Sequence, residues 1–257
     1  GGVERFLELA AGDAVAIVGA RRASPYALEN ARSLARGVAG QLTVVSGMAS
    51  GVDTAAHEGA LYARGGTIAV LASSPERPYP PSGRRLHQEI AATGAVVSEL
   101  GPGVPARRWM FPARNRIIAA LADMTVVVAA RRGSGAMLTI AEAEMLGRRL
   151  GGVPGQVTAP LSWGPHLVVR RGGDLVRGPD DVLMALDHRA VPPVSARERV
   201  DDPQLVTLLD ALADGYEPPE AFLEAGLNAE GGLAALAALE MSGCVRRQAG
   251  GRYTIVP

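Results

Sequence analysis

Leu42-Thr43-Val44-Val45-Ser46-Gly47-Met48-Ala49-Ser50-Gly51-Val52-Asp53-Thr54-Ala55-Ala56-His57 is the stretch that decides the fold. Leu42–Val45 is β-branched and apolar, which predicts a buried strand. Val52–Arg64 carries Ala55, Ala56, Ala60 and Leu61 at helical spacing. A strand thus stops at a glycine and a helix starts within a few residues. In a parallel α/β sheet such a junction lies at the carboxyl edge, where the helix start directs unpaired N–H groups at a ligand. Gly47 and Gly51 would let an anion approach the backbone, and Ser46 and Ser50 add hydroxyls. The expected guest is a phosphate, although a glycine-rich turn alone is a weak signal.

The same alternation runs outward in both directions. Ala14–Gly19 reads as a strand ending in Gly19-Ala20-Arg21-Arg22, and Pro25–Val38 as a helix with Ser24 as its N-cap. Thr67–Ala72, Ala95–Leu100, Met124–Ala130 and Leu150–Val153 are further strands, with helices over Arg84–Ala92, from Phe111 onward and over Met137–Arg149. Strands alternating with helices call for a parallel sheet with right-handed crossovers and helices on both faces. From Trp163 to Leu186 the pattern weakens to short elements. Ala190–Pro203, rich in proline and charge, reads as a linker. Residues 204–257 then give three helices and a two-stranded ribbon, the make-up of a winged helix. The third helix, near Glu230–Gly243, has no Arg, Lys, Asn or Gln to read base edges.

Composition narrows the function. The chain has 257 residues, 47% of them hydrophobic and 4% aromatic, so its core is aliphatic and its length suits one large and one small domain. No apolar run reaches the ~18 residues of a membrane span, and no charged-then-apolar leader opens the chain, so a soluble, non-exported protein is expected. Gly1–Ala11 includes a short amphipathic piece and is expected to be the remnant of something longer, residues 1–13 standing outside the first domain. One cysteine, Cys244, and four scattered histidines exclude an internal disulfide and point away from a metal site. Net charge is zero, yet residues 1–200 carry 23 Arg against 17 acids and residues 201–257 carry 3 Arg against 9 acids. All 26 basic residues are arginine, the side chain whose fork suits phosphate, although a codon bias would produce the same count.

Phe111-Pro112-Ala113-Arg114-Asn115-Arg116 places two arginines at a helix start, against the dipole, beside one of just three phenylalanines. An aromatic among arginines suits a surface that stacks bases. Gly19-Ala20-Arg21-Arg22 is not G-x-G-x-x-G, which argues against a dinucleotide oxidoreductase. Gly133-Ser134-Gly135 with Thr139 and Glu142 is a faint likeness to a nucleotide hydrolase signature, at the wrong spacing.

The ordered set V-A-I-V-G-A-R (15–21), S-G-M-A-S-G-V-D-T-A-A-H (46–57), G-T-I-A-V-L (66–71), Y-P (79–80), S-E (98–99), F-P-A-R-N-R-I-I-A (111–119), S-G-A-M-L-T (134–139) and V-P-G (153–155) resembles the DNA-processing protein A family, also called Smf. The resemblance spans about residues 14–186 and extends to the winged helix. It implies an extended Rossmann-like domain over residues 14–189 that binds single-stranded DNA, forms a homodimer and passes the strand to the RecA recombinase in natural transformation. It implies a cytoplasmic DNA-binding protein with no catalytic residues and no cofactor. The family's DNA pocket falls on Arg21, Ser46, Gly47, Gly51, Phe111, Arg114 and Asn115, with Arg108 and Arg148 where the family often has a basic residue. The alternative is a nucleotide-processing hydrolase of a related fold.

Overall fold

The computed structural model describes residues 2–187, 200, 202–248 and 252–256. The chain divides into two units, Gly1–Ala190 and Val191–Pro257.

The first unit is built on a seven-stranded parallel sheet. Its strands are β1 (Ala14–Gly19), β2 (Thr43–Ser46), β3 (Thr67–Val70), β4 (Ala95–Val97), β5 (Met124–Ala129), β6 (Arg149–Gly152) and β7 (Asp174–Leu175), in the order β4-β3-β2-β1-β5-β6-β7. The chain winds outward from β1 to β4, then returns to the other side of β1 and winds outward again through β5, β6 and β7. The reversal between β1 and β5 is a topological switch point, where open α/β sheets keep their ligand crevice.

Alternation along β1 explains the two layers. Val15 and Ile17 face one side and pack with Ala31, Leu34 and Val38 of α2 (Pro25–Val38) and with Val52, Ala55 and Ala56 of α3 (Val52–Tyr62). Ala14, Ala16 and Val18 face the other, against Ile118 of α5 (Met110–Ala120) and Ile140 of α6 (Gly135–Met145). Between α3 and α5 in sequence, α4 (Arg84–Thr93) buries Leu86 and Ile90. Each side chain follows the strand period of two, so both faces need a helical cover.

Several expectations are revised. β4 ends at Val97, because Ser98 turns its hydroxyl to accept from the Leu100 N–H at 3.0 Å. Before β1, α1 (Val3–Ala11) buries Leu9, whose carbonyl accepts from Thr43 Oγ1 at 2.9 Å. The weakly patterned stretch after β6 contains α7 (Trp163–Arg170), β7 and α8 (Pro179–Ala185).

The expected linker at 190–203 lies largely outside the described residues. In the second unit, α9 (Pro203–Ala213), α10 (Glu220–Glu224) and α11 (Ala229–Met241) precede an antiparallel pair, β8 (Val245–Arg247) and β9 (Tyr253–Ile255). Leu208, Phe222, Leu236, Leu239 and Cys244 form its core.

Candidate nucleic-acid interface

The carboxyl edge at the β1/β5 switch point opens into a cleft of about 830 Å³. One wall is the end of β1, Gly19 to Arg22. The other is the turn after β5, with Arg131 and Gly133 to Ala136, and α5 supplies Phe111, Pro112, Arg114, Asn115 and Ile118. Tyr79, Arg108 and Thr139 complete much of the lining. Arg21, Arg22, Arg108 and Arg131 are exposed, and none has a carboxylate partner among the described residues. Phe111 is half-buried. Tyr79 meets it edge-on at 5.3 Å, and the Arg21 guanidinium lies over its ring at 4.8 Å.

Beneath this surface lies a buried charged group. Arg114 is 6% exposed, and its Nη1 donates to the carbonyls of Gly47, at 2.6 Å, and Val70. Asp53, at the second position of α3, is also 6% exposed and lines the cleft. Its carboxylate accepts from the backbone N–H of Ala49 at 3.4 Å. Burial raises the Asp53 pKa to about 6, with the charge of Arg114 and the nearby backbone N–H groups opposing the rise. Burial also lowers Arg114 to about 10 and His57 to about 3, so Arg114 stays charged and His57 neutral at neutral pH. His57 Nδ1 pairs with Thr67 Oγ1 at 2.8 Å.

Within the Gly47–Gly51 turn the Ala49 N–H is directed at the chain's own Asp53 carboxylate. The first N–H of α3, from Val52, is spent on the Ala20 carbonyl at 3.2 Å, and Ser46 Oγ donates to the Ile17 carbonyl at 2.7 Å. Both glycines are required for packing. A Cβ on Gly47 would strike the Arg114 guanidinium, and one on Gly51, where φ is +89°, would strike the carbonyls of Ala20 and Arg21.

Of the residues singled out from sequence, Arg21, Arg108, Phe111, Arg114 and Asn115 come together in the cleft. Arg114 does so from below, as a buried cation rather than a free arm. Asn115 Nδ2 donates to the Gly135 carbonyl at 3.2 Å, tying α5 to the turn that opens α6. Ser46, Gly47 and Gly51 support the cleft without lining it. Arg148 is at the opposite edge: Nη1 pairs with Asp123 at 3.1 Å, just before β5, and Nη2 donates to the Ala120 carbonyl. Sequence reasoning missed Arg22, Arg131, Tyr79 and Asp53. The first two stand at strand ends that the alternation had already marked, so their placement was within reach; Asp53 offered no signal beyond an acid in a first helical turn.

The sequence profile of the family described as DNA recombination-mediator protein A matches residues 6–187. Among curated relatives, a putative DNA processing protein DprA of Mycobacterium tuberculosis is 44% identical over 176 residues, 68% of this chain and 45% of that protein. DNA processing protein DprA of Streptococcus pneumoniae is 39% identical over 169 residues, covering 66% of this chain and 60% of its own. The chain therefore spans about half the length of the curated relatives it matches. The X-ray structure of the Streptococcus pneumoniae protein superposes with a TM-score of 0.66 at 38% identity, over 69% of this chain and 63% of that one. The Helicobacter pylori DNA processing protein A, a structure solved for its mode of single-stranded DNA binding, gives 0.65 at 29% identity, over 71% and 85%. With a family match that runs from α1 to the end of α8 and a sheet that superposes on solved members, this chain belongs to the DNA recombination-mediator protein A family.

Proposed function

We propose that this chain binds single-stranded DNA in the β1/β5 cleft, breaks no bond in it, and helps load the RecA recombinase on the strand during natural transformation or recombination. In this reading it works in the cytoplasm as a homodimer, with residues 14–189 as the DNA-binding domain, 190–203 as a linker and 204–257 as a winged helix. The observation that carries the reading is the cleft itself: four exposed arginines, without acidic partners among the described residues, surround the Tyr79–Phe111 pair. Arginines neutralise phosphates, and an aromatic pair gives successive bases a sequence-tolerant face. Binding is favoured over hydrolysis because the one carboxylate among the described lining residues, Asp53, is buried and accepts from the Ala49 N–H, and Glu142 is not among the lining residues. A catalytic carboxylate must reach its substrate.

The test compares a single-stranded oligonucleotide, its blunt duplex and free nucleotides at two salt concentrations. Tighter binding to the single strand, with a log–log salt slope of about −0.7 for each phosphate engaged, is expected. Equal or tighter binding to the duplex would refute the reading, and release of free base from a nucleoside monophosphate would replace it with the hydrolase.

A further inference from the structure

A carboxylate buried in the floor of a phosphate-binding cleft works against the ligand, so its position calls for a reason. Asp53 has one, since it is buried in the cleft floor, accepts from the Ala49 N–H of the turn after β2 at 3.4 Å, and has the backbone N–H groups of Gly19 and Gly47 near enough to favour its charge. Arg114 closes the same unit from α5 by donating to the Gly47 carbonyl. The charged and titratable groups around the carboxylate are few. From α5 comes Arg114, with Arg21 of the β1 end close enough to repel it; from α3 itself comes His57, buried and neutral. Among the described residues no second carboxylate lines the cleft.

We propose, on the reading that the cleft takes a DNA backbone, that Asp53 is its internal counter-anion. It fills the anion seat of the Gly47–Gly51 turn while the cleft is empty, and takes up a proton from solvent when a strand's phosphates arrive. Phosphates entering the cleft add negative charge beside a desolvated carboxylate, which favours its neutral form, and a neutral Asp53 in turn removes a repulsion from the bound strand. As a protonated acid it still has one oxygen to accept from the turn, so the floor keeps its shape. Its pKa, already raised to about 6 by burial, puts this exchange within reach of neutral pH. Asp53 is thus a positioning residue that also sets how strongly affinity depends on pH.

The experiment uses the full chain and an oligothymidylate. Titration calorimetry in two buffers of different ionisation enthalpy, at about pH 6.5, reads proton uptake directly. Wild type is expected to take up a fraction of a proton on binding, and His57→Gln to take up as much. Asp53→Asn is expected to lose the uptake and to bind about three- to tenfold more tightly than wild type at about pH 7.5. Equal uptake in Asp53→Asn and wild type would overturn the proposal. An arm without DNA decides the seat independently: the melting midpoint of Asp53→Asn minus that of wild type should rise as pH goes from about 4.5 to about 7. A flat difference overturns the proposal, whatever DNA does. Should neither protein bind the oligonucleotide while the difference rises, the DNA reading falls and the assignment of Asp53 to the anion seat is upheld. If Asp53→Asn fails to fold, the comparison of wild type with His57→Gln still decides, since absence of uptake in wild type contradicts the proposal.

Discussion

The Arg21 guanidinium lies over the Phe111 ring, 4.8 Å from its centroid, while Tyr79 meets the same ring edge-on. A cation held against an aromatic face is attracted to it by about 0.5–1 kcal/mol where solvent reaches the pair. The contact sets Arg21 at the mouth of the cleft with its donors free for phosphate. Single-strand affinity should therefore fall by about 1–3 kcal/mol in Phe111→Ala. In Arg21→Ala the loss should be about 1.5–3 kcal/mol. The double variant should lose less than the sum, with a coupling of at least about 0.5 kcal/mol in a double-mutant cycle. Strict additivity would show that the ring and the guanidinium act on the strand separately.

Arg131 and Arg148 make a matched pair of tests, one arginine at each edge of the sheet. Arg131→Ala should weaken single-strand binding and lower the salt slope by about 0.7. Arg148→Ala should leave DNA affinity unchanged, since its guanidinium is engaged with Asp123 and the Ala120 carbonyl. Its cost should be about 0–1 kcal/mol of stability, as for other half-exposed ion pairs. A loss of DNA binding in Arg148→Ala would mean that the strand passes along the amino edge instead.

Gly51→Ala probes the floor. Its positive φ and the carbonyls of Ala20 and Arg21 leave no place for a methyl group. Denaturant unfolding should show a loss of about 1–3 kcal/mol. A variant as stable as wild type would show that the turn after β2 is not pinned against the end of β1.

The buried pair Asp53 and His57 predicts two opposed pH effects. For Asp53 the folded pKa is raised, to about 6 from 3.8, so the unfolded chain releases its proton first. Its burden on stability is absent below about pH 4 and complete above about pH 6. For His57 the folded pKa is lowered, from 6.5 to about 3, so the unfolded chain binds its proton first. Its neutral burial costs nothing above pH 6.5 and becomes progressively destabilising as pH falls toward 3. Between about pH 4 and 6 the two slopes oppose each other, and Asp53→Asn should expose the acid sensitivity that His57 imposes. Melting midpoints across that range check it; an Asp53→Asn curve parallel to wild type would contradict the assignment for Asp53.

What could be read in the sequence, and what could not, divides along physical lines. Val15 and Ile17 alternate with Ala14, Ala16 and Val18, and such periodicity is written in the chain itself, so the strands and helices around them were legible. The motif order also led to the family and placed Arg21, Phe111 and Asn115 in one cleft. Sheet order was not legible, because nothing local tells β5 to pair with β1 rather than β4. The crevice was therefore sought at the end of β2 and lies at the ends of β1 and β5. Asp53 escaped notice for a related reason: a carboxylate in the first turn of a helix ordinarily faces water, and only the folded turn shows it buried, with the Ala49 N–H as its donor. The ion pair of Arg148 was not legible either, because Asp123 is 25 residues away in sequence but 3.1 Å away in space.

The most direct measurement is photo-crosslinking of the full chain to a short single-stranded oligonucleotide carrying 5-iodouracil, followed by identification of the modified peptides. Crosslinks at Tyr79 and Phe111, reduced when unlabelled single strand is added but not by an equal amount of duplex, are the predicted result. Crosslinks confined to residues 203–256 or to the amino edge around Arg148, with Tyr79 and Phe111 unmodified, would contradict a DNA cleft at the β1/β5 switch point.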